Sequence, residues 1–442
     1  MNLPLLSLLI FTPLSGALLL WLLPERSARY LTAAAMLSTL AAAAAVIVAY
    51  DPAGVRFQLL ERAAWIASLN VDYLVAVDGL SVLFLPATAL LFLGSLVASW
   101  NSVTDAPRFH YSLLLLFQTC TLGIFCALDS ILFFVFWELT LIPLYFLLGR
   151  WGVVSACQRV AARYVLIMLS AGVPLLLAFV ILAGTQAVLT FDLITLLAVP
   201  LPREAQTAVF LLCLVGFGVK VPLVPLHTWL PQFSLAAPGS LTALLVGLKL
   251  GAYGLIRFAI PLAPEVASDL HWLLAGLGTL TILYGAVGLL AQSNLRVALA
   301  YASICHVGLA VLGLAAFSAQ AVLGAVALLL SFSVATGGAL LLLEFLRQRT
   351  GSTDVHSLGG AAKTMPLLAS GLFVCGMAGV GMPGTSSFPG EFLLILAALH
   401  SHTGAGMAAL FGLAIAAGGF LALYRKAFFG PVTRAEVADA RD

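Results

Sequence analysis

The sequence predicts an all-α polytopic membrane protein of about thirteen transmembrane helices, at roughly 20 residues for each helix. Of its 442 residues, 62% are hydrophobic and only 9% are charged, and the mean hydropathy is +1.12. Soluble domains carry roughly 25% charged residues. A chain this apolar is therefore expected in a lipid bilayer, as one bundle of helices rather than several soluble domains.

Apolar segments of membrane-spanning length follow one another along the whole chain. The first is predicted to stay on the mature protein, because it is too long for the apolar part of a signal peptide and lacks a basic stretch before it. The next to last is interrupted by "GMPGTSSFPG". The predicted spans centre on residues 3–23, 30–50, 80–99, 110–127, 130–149, 161–184, 207–224, 240–260, 271–291, 296–315, 319–346, 365–398 and 404–424.

The distribution of Lys and Arg predicts the orientation. When successive connections are assigned to alternate sides, one side collects fourteen cations and the other four, Arg56, Arg62, Arg203 and Arg257. By the positive-inside rule, we expect a multi-pass protein of the cell inner (plasma) membrane with its N-terminus outside and its C-terminus cytoplasmic. The fourteen are Arg26, Arg29, Arg108, Arg150, Arg159, Arg163, Arg296, Arg347, Arg349, Lys363, Arg425, Lys426, Arg434 and Arg441.

Four charged side chains, Glu138, Lys220, Lys249 and Glu391, lie centrally in predicted spans, His306 lies inside another span, and Glu344 lies nearer a cytoplasmic end. A charge near the bilayer centre costs about 2.5 kcal/mol or more, so such residues are expected to have a function. Burial and pairing shift the pKa of a Lys or Glu in opposite directions, so making or breaking a pair can move a proton. Histidine titrates near neutral pH and suits a relay. Static ion pairs remain the alternative interpretation.

Two of the predicted spans are broken by Pro and Gly. Residues 207–238 contain Pro222 and Pro225 close to Lys220, and residues 365–398 contain a break close to Glu391. Broken helices in corresponding positions of two halves are typical of transporters built from inverted repeats. The predicted organisation is N-terminal helices over 1–109, a first five-helix repeat over 110–260, a second inverted repeat over 271–424 and a cytoplasmic tail over 425–442.

The residue patterns favour no bound cofactor, metal or nucleic acid. The six cysteines lie singly in apolar segments, and only Cys305 and His306 are adjacent. No GxGxxG motif follows a strand, and the central histidines are not spaced to hold haem. A net charge of +2 without a basic tract argues against nucleic acid. Any redox chemistry is therefore expected in partner proteins.

Several segments carry a resemblance to a known family. "ALDSILFFVFWELTLIPLYFLLGRWG", "VKVPLVPLHTWLP", "GLKLGAYGLIRF", "NLRVALAYASICHVG" and "GMPGTSSFPGEFLLI" resemble, in order, signature segments of the antiporter-like membrane subunits of respiratory complex I, and most closely the M-type subunit. The resemblance spans essentially the whole chain. It implies a fold of fourteen transmembrane helices in that family, with two inverted five-helix repeats, broken seventh and twelfth helices and a hydrophilic axis that translocates protons.

The resemblance also implies roles for the five titratable residues. Glu138 resembles the fifth-helix glutamate that pairs with Lys220 of the seventh helix. Lys249 resembles the connecting lysine of the eighth helix, and His306 the histidine of the tenth. Glu391 resembles the terminal residue of the twelfth helix, which is Glu in M-type members and Lys in L-type and N-type members.

Three departures from the family pattern point to a divergent member. Gln232 stands where the family usually has an acidic residue, and Ser331 stands where the eleventh helix usually has His. The chain also stops soon after "LALYRKAFFGPV", so the last family helix is expected to be missing. A relay that loses a titratable group at Ser331 is expected to use water or the hydroxyl, or to conduct less well toward Glu391.

Three functions and a structural alternative follow from these patterns. The first is a proton-translocating subunit, not itself catalytic, of a complex I-like oxidoreductase, with other membrane subunits and a peripheral soluble arm as partners. The second is a subunit of a multisubunit cation/proton antiporter. The third is a proton channel that energises a soluble partner subunit in two-component inorganic carbon uptake. In the fourth, the charges are frozen and the chain is a scaffold.

Overall fold

A computed structural model describes residues 4–432 and 434–442, and this part of the chain is mostly helical. Leu3, where the first predicted span begins, and Thr433 of the predicted tail lie outside the described residues. Within the described part, nine helical segments are long and apolar enough to cross a membrane, and four apolar helices are shorter. Every predicted span overlaps one or more helices, which confirms the all-α polytopic fold class.

The helices follow the hydropathy pattern because a backbone in lipid must satisfy its own hydrogen bonds. A π-helical turn, Leu255–Ala259, lies between α12 and α13. In chain order the α-helices are α1 (Leu5–Leu19), α2 (Ala28–Ala49), α3 (Phe84–Ser99), α4 (Pro107–Cys126), α5 (Ser130–Leu139), α6 (Leu141–Trp151), α7 (Cys157–Gly184), α8 (Leu193–Ala198), α9 (Arg203–Lys220), α10 (Trp229–Ala236), α11 (Gly239–Gly247), α12 (Leu250–Gly254), α13 (Ile260–Leu262), α14 (Pro264–Asp269), α15 (His271–Leu290), α16 (Leu295–Leu314), α17 (Ala319–Thr350), α18 (Val355–Leu358), α19 (Pro366–Gly379), α20 (Phe388–Ser401), α21 (Thr403–Phe428) and α22 (Ala435–Asp439).

A short antiparallel hairpin, which the sequence analysis did not predict, joins α2 to α3. Its strands are β1 (Gln58–Ile66) and β2 (Val71–Val77), and Asn70 makes the turn with a left-handed backbone. Glu61 of β1 accepts hydrogen bonds from the Leu6 and Ser7 amides at the start of α1, at 2.7 and 3.0 Å. A carboxylate at a helix N-terminus satisfies free amides and complements the helix dipole, so the hairpin caps the first helix.

The chain divides into two compact units. The first unit comprises Met1–Trp151, Ala161–Val219 and Tyr253–Ala267, and the second comprises Gly152–Val160, Lys220–Ala252 and Ser268–Asp442. Each unit gathers distant parts of the sequence around its own buried apolar side chains. The two inverted five-helix repeats predicted over 110–260 and 271–424 stay a prediction.

An ion pair is buried in the first unit. Arg257 donates two hydrogen bonds to the Asp78 carboxylate, at 2.7 and 2.5 Å, and a third to the Tyr253 hydroxyl at 3.1 Å. Only 3% of the Arg257 side chain is exposed. Burial acts to raise the pKa of the Asp78 carboxyl, but hydrogen bonding and the charge of Arg257 outweigh it, so the pKa lies below its usual value.

The position of Arg257 corrects one assignment of the sequence analysis, which counted it among the cations of the outer connections. It lies instead inside the helical segment Gly239–Leu262. The segment tolerates the charge because Asp78, 179 residues away in the sequence, neutralises it. A hydropathy profile averages over neighbouring residues, so it cannot show a partner 179 positions away.

We expect Asp78→Asn to lower the free energy of unfolding by about 3–5 kcal/mol, because it leaves a buried guanidinium without its counter-charge. Unfolding of the purified full chain in detergent, titrated with SDS, measures the loss.

Asp105→Asn is the matched control. The Asp105 carboxylate also binds an arginine, Arg150 at 2.9 Å, but that pair is exposed. Solvent screening makes exposed pairs weak, so the control variant should unfold like the wild type. Equal losses in the two variants would contradict a special contribution of the buried pair.

Candidate functional site

The structure places the five predicted titratable residues on five different segments. Glu138 lies on α5 in the first unit, and Lys220 ends α9 at the first residue of a segment of the second unit. Lys249 lies in the bend between α11 and α12, His306 in the middle of α16, and Glu391 in the first turn of α20. Three of them, Lys249, His306 and Glu391, line up within the second unit.

The line of contacts starts at Lys249, whose side chain is buried. Its ammonium donates a hydrogen bond to the Ser303 hydroxyl at 2.5 Å and lies 4.4 Å from the centre of the Phe332 ring. The Phe332 ring also contacts His306, and the centres of the two rings are 4.5 Å apart. Ser303 and His306 are three residues apart on α16, so they share one face of that helix.

The line of contacts ends where the His306 ring meets the Glu391 carboxylate. The His306 Nε2 and Glu391 Oε1 atoms are 2.9 Å apart, and both side chains are buried. The His306 Nδ1 atom is 2.8 Å from the Ala302 carbonyl oxygen. Because a carbonyl cannot donate, Nδ1 carries a proton. Nε2 and Oε1 are within ion-pair distance, but among the described residues neither atom has a hydrogen-bond partner.

The first helix break lies beside Lys220. Helix α9 ends at Lys220 and α10 begins at Trp229, so residues 221–228 are not helical, as the prolines predicted. The Val224 amide donates a hydrogen bond to the Thr281 hydroxyl oxygen of α15 at 3.1 Å. That hydroxyl donates its own proton to the Leu277 carbonyl at 2.6 Å. The freed backbone is thus satisfied by protein rather than by lipid.

The backbone of Lys220 packs close to the bend that carries Lys249. A Cβ atom at Gly251 would lie 2.6 Å from the Val221 amide nitrogen and 2.8 Å from the Lys220 carbonyl carbon. Such distances are shorter than a real side chain permits, so only glycine fits there. The first break and the Lys249 bend are in direct contact.

The second break lies beside Glu391. Helix α19 ends at Gly379 and α20 begins at Phe388, as predicted. The Ser331 hydroxyl donates a hydrogen bond to the Ser386 carbonyl at 2.8 Å, so α17 holds this break. Gly381 has a φ of +68°, and a Cβ atom there would overlap the Glu391 carboxylate. Glu391 and Gly381 also line a cavity of about 390 Å³.

Glu138 has a comparable niche in the first unit. A Cβ atom at Gly172 of α7 would overlap its carboxylate, so this glycine makes room for the charged group. Glu138 also lines a cavity of about 570 Å³ whose other walls are apolar or aromatic, among them Val135, Ile142 and Val165. The predicted pairing of Glu138 with Lys220 stays a prediction.

Two further buried charges, which sequence reasoning placed near or beyond the cytoplasmic helix ends, hold the bend between α10 and α11. Glu344 of α17 accepts a hydrogen bond from the Gly239 amide at 2.6 Å. Arg296 lies in the first turn of α16 rather than in a connection, and it donates to the Ala237 carbonyl oxygen. Arg296 thus lies at the C-terminus of α10 and Glu344 at the N-terminus of α11, where the helix dipoles favour a cation and an anion, respectively. The Pro238-Gly239 pair is the sequence signal for this bend.

Comparisons with known proteins agree with this architecture. Residues 127–416 match the family described as NADH:quinone oxidoreductase/Mrp antiporter, transmembrane. The chain is 30% identical over 452 residues to NADH-quinone oxidoreductase subunit M of Rickettsia conorii, covering 100% of this chain and 92% of that protein.

Two solved structures share the fold. A chain of respiratory complex I from Thermus thermophilus with bound NADH superposes with a TM-score of 0.90 at 32% identity, covering 99% of this chain and 91% of that one. A chain of the Mrp complex from Dietzia sp. superposes with a TM-score of 0.85 at 24% identity, covering 98% and 82%. At that identity the second likeness concerns the fold alone.

We expect Thr281→Val to lower the free energy of unfolding by about 1–3 kcal/mol, because the buried Val224 amide loses its acceptor while the side-chain shape is kept. The matched control is Thr279→Val on the same helix, whose hydroxyl bonds only to the Ala275 carbonyl of α15 itself. SDS titration of the full chain measures both. A control as destabilised as Thr281→Val would contradict the role of Thr281 in holding the break.

Proposed function

The chain belongs to the NADH:quinone oxidoreductase/Mrp antiporter transmembrane family, and from this premise we propose that it is a proton-translocating, antiporter-like membrane subunit of a complex I-like oxidoreductase. The single observation that carries the proposal is the buried sequence of contacts from Lys249 through Ser303 and Phe332 to His306 and Glu391. Ionisable groups inside membrane spans mark proton pathways when they lie within reach of one another.

The proton moves along this line by changing which group holds it. In this proposal one proton resides either on His306 Nε2, as an imidazolium, or on Glu391 Oε1, as a carboxylic acid, and it passes between these atoms when they come into hydrogen-bonding geometry. A positive charge on Lys249 disfavours a second positive charge on His306 and moves the shared proton to Glu391. When Lys249 loses its proton, the imidazolium becomes favourable again. The charge of Lys249 thus controls the protonation of Glu391.

Direct contact between His306 and Glu391 accounts for the serine at position 331. The resemblance implied a histidine at position 331, and its absence suggested either that water or the hydroxyl replaces it or that conduction toward Glu391 is weaker. Here Nε2 and Oε1 are only 2.9 Å apart, so the relay needs no intermediate group. Ser331 instead supports the break beside Glu391 through its bond to Ser386. The other departure, Gln232, is exposed and has no place on this line.

We further propose that Glu138 and Lys220 form the switch that drives the line. Forming or breaking their pair changes the charge at the first break, whose backbone packs against the bend that carries Lys249. The niche at Gly172 supports a defined position of the Glu138 carboxylate. In this proposal other membrane subunits flank the chain, a peripheral arm carries the redox chemistry, and the termini lie outside and in the cytoplasm, respectively.

A multisubunit cation/proton antiporter is the second candidate, favoured by the likeness to the fold of an Mrp complex chain. Gentle purification of the tagged chain from its host, followed by mass spectrometry, distinguishes the redox complex, the antiporter and the carbon-uptake alternative. Flavin and iron–sulfur subunits in the purified complex would support the redox complex. Several small membrane proteins alone would support the antiporter, and a zinc-containing soluble partner would support carbon uptake.

We expect Glu138→Gln to preserve assembly and abolish proton-coupled activity, because the amide fits the niche but cannot take up or release a proton. Proton uptake into membrane vesicles measures the activity, and native gels measure assembly. Glu204→Gln, which alters an exposed carboxylate at the start of α9, is the control and should pump normally. Normal pumping by an assembled Glu138→Gln complex would overturn the role of Glu138 as the switch.

We expect Gly381→Ala to lower proton-coupled activity about tenfold or more, because the new methyl group displaces the Glu391 carboxylate from His306 and small displacements of reacting groups are costly. Gly384→Ala is the matched control. Gly384 also has a positive φ, +93°, but no atom lies within 4 Å of its added Cβ. Both variants carry the backbone strain, so only a difference between them supports the contact. Equal activities would contradict it.

A further inference from the structure

Two histidines that are 131 residues apart in the sequence meet at helix ends of the second unit. His271 is the first residue of α15, and His402 lies between α20 and α21. The His271 Nδ1 and His402 Nε2 atoms are 2.7 Å apart, and the ring centres are 5.0 Å apart. Neither residue belongs to the line of contacts from Lys249 to Glu391.

The hydrogen bonds around His402 determine which of its ring nitrogens carries the proton. The Ser401 hydroxyl donates to the Ala397 carbonyl at 2.9 Å, so its oxygen accepts from His402 Nδ1, also at 2.9 Å. His402 Nε2 is then the unprotonated nitrogen of the neutral ring and accepts from His271 Nδ1. A lone pair of His402 is therefore held in a fixed direction.

This arrangement is the one that metal-binding histidines use. A ligating imidazole normally donates its other N–H to an oxygen, which fixes the ring and its tautomer. His402 has that partner in Ser401, and His271 exposes a second imidazole to solvent. We propose that His271 and His402 form a binding site for a divalent transition-metal ion such as Zn²⁺, which replaces the proton between the two rings.

The geometry needs only a small adjustment to accept the ion. Two nitrogens at the usual zinc–nitrogen distance in a tetrahedral site are about 3.3 Å apart, compared with 2.7 Å here. The exposed ring of His271 can move outward by the difference, after its proton shifts to Nε2. Among the described residues no group of three or more His, Cys, Asp or Glu side chains is arranged for a metal, so water completes the coordination.

A bound ion would connect the helix that holds the first break to the helix that follows the second break. Helix α15 carries Thr281, which binds the first break, and α20 begins with the turn that carries Glu391. The ion would tie the start of α15 to the end of α20. Because it binds the folded chain, it would also raise the stability of that chain, by an amount that grows with the logarithm of the ion concentration above the dissociation constant.

Equilibrium dialysis of the full chain against Zn²⁺ tests the proposal, with bound zinc measured by mass spectrometry and an affinity tag that contains no histidine. We expect one zinc ion for each wild-type chain. His271→Ala and His402→Ala should each weaken binding at least tenfold, and Ser401→Ala about tenfold, since loss of such a supporting partner has that effect. His400→Ala, an exposed histidine two residues before His402, is the control and should bind as the wild type does.

Binding that is unchanged in His271→Ala and His402→Ala, or lost equally in His400→Ala, would overturn the site. If an alanine variant does not fold, the EPR spectrum of Cu²⁺ added to the wild type decides, because two nitrogen ligands must appear. A spectrum without them rejects the proposal. None of these measurements depends on proton transport, so they succeed or fail separately from the proposed function.

Discussion

Two interrupted membrane helices impose the constraint on which the rest of the second unit depends. Each interruption frees amides and carbonyls that lipid cannot satisfy. Unbroken helices supply the missing partners, Thr281 of α15 at the first break and Ser331 of α17 at the second. The breaks are therefore held in place, and the charged residues Lys220 and Glu391 lie beside them.

Buried charges in this protein are of two kinds, which their partners distinguish. Arg257 and Asp78 saturate each other with two hydrogen bonds, and Glu344 binds an amide and the Arg347 guanidinium. Charge-assisted hydrogen bonds stabilise the ionised forms of these groups, and the pairs act as permanent links between segments. His306 and Glu391 differ, because their nitrogen and oxygen atoms lie 2.9 Å apart and no hydrogen bond among the described residues saturates either atom.

The same distinction explains which site residues could be predicted. Lys249, His306 and Glu391 stood out because a titratable side chain in an apolar segment is costly wherever its partner lies. Ser303 and Phe332 could not be recognised, because serine and phenylalanine are ordinary in membrane helices and gain their role only from the ammonium beside them. Arg257 was counted with a connection although it lies inside a helical segment, close to its end, because the carboxylate that neutralises it comes from a remote part of the sequence.

The sequence by itself determined the all-helical membrane fold, the position of both breaks and the identity of the central charged residues. These features follow from local composition, since the cost of placing a charge or an unpaired backbone group in lipid is paid at each position. Tertiary structure decided which groups meet: the hairpin that caps α1, the glycines that admit Glu138 and Glu391, and the 2.9 Å contact of His306 with Glu391. Such contacts join residues 10 to 85 positions apart, and the packing of helices sets them to within fractions of an ångström.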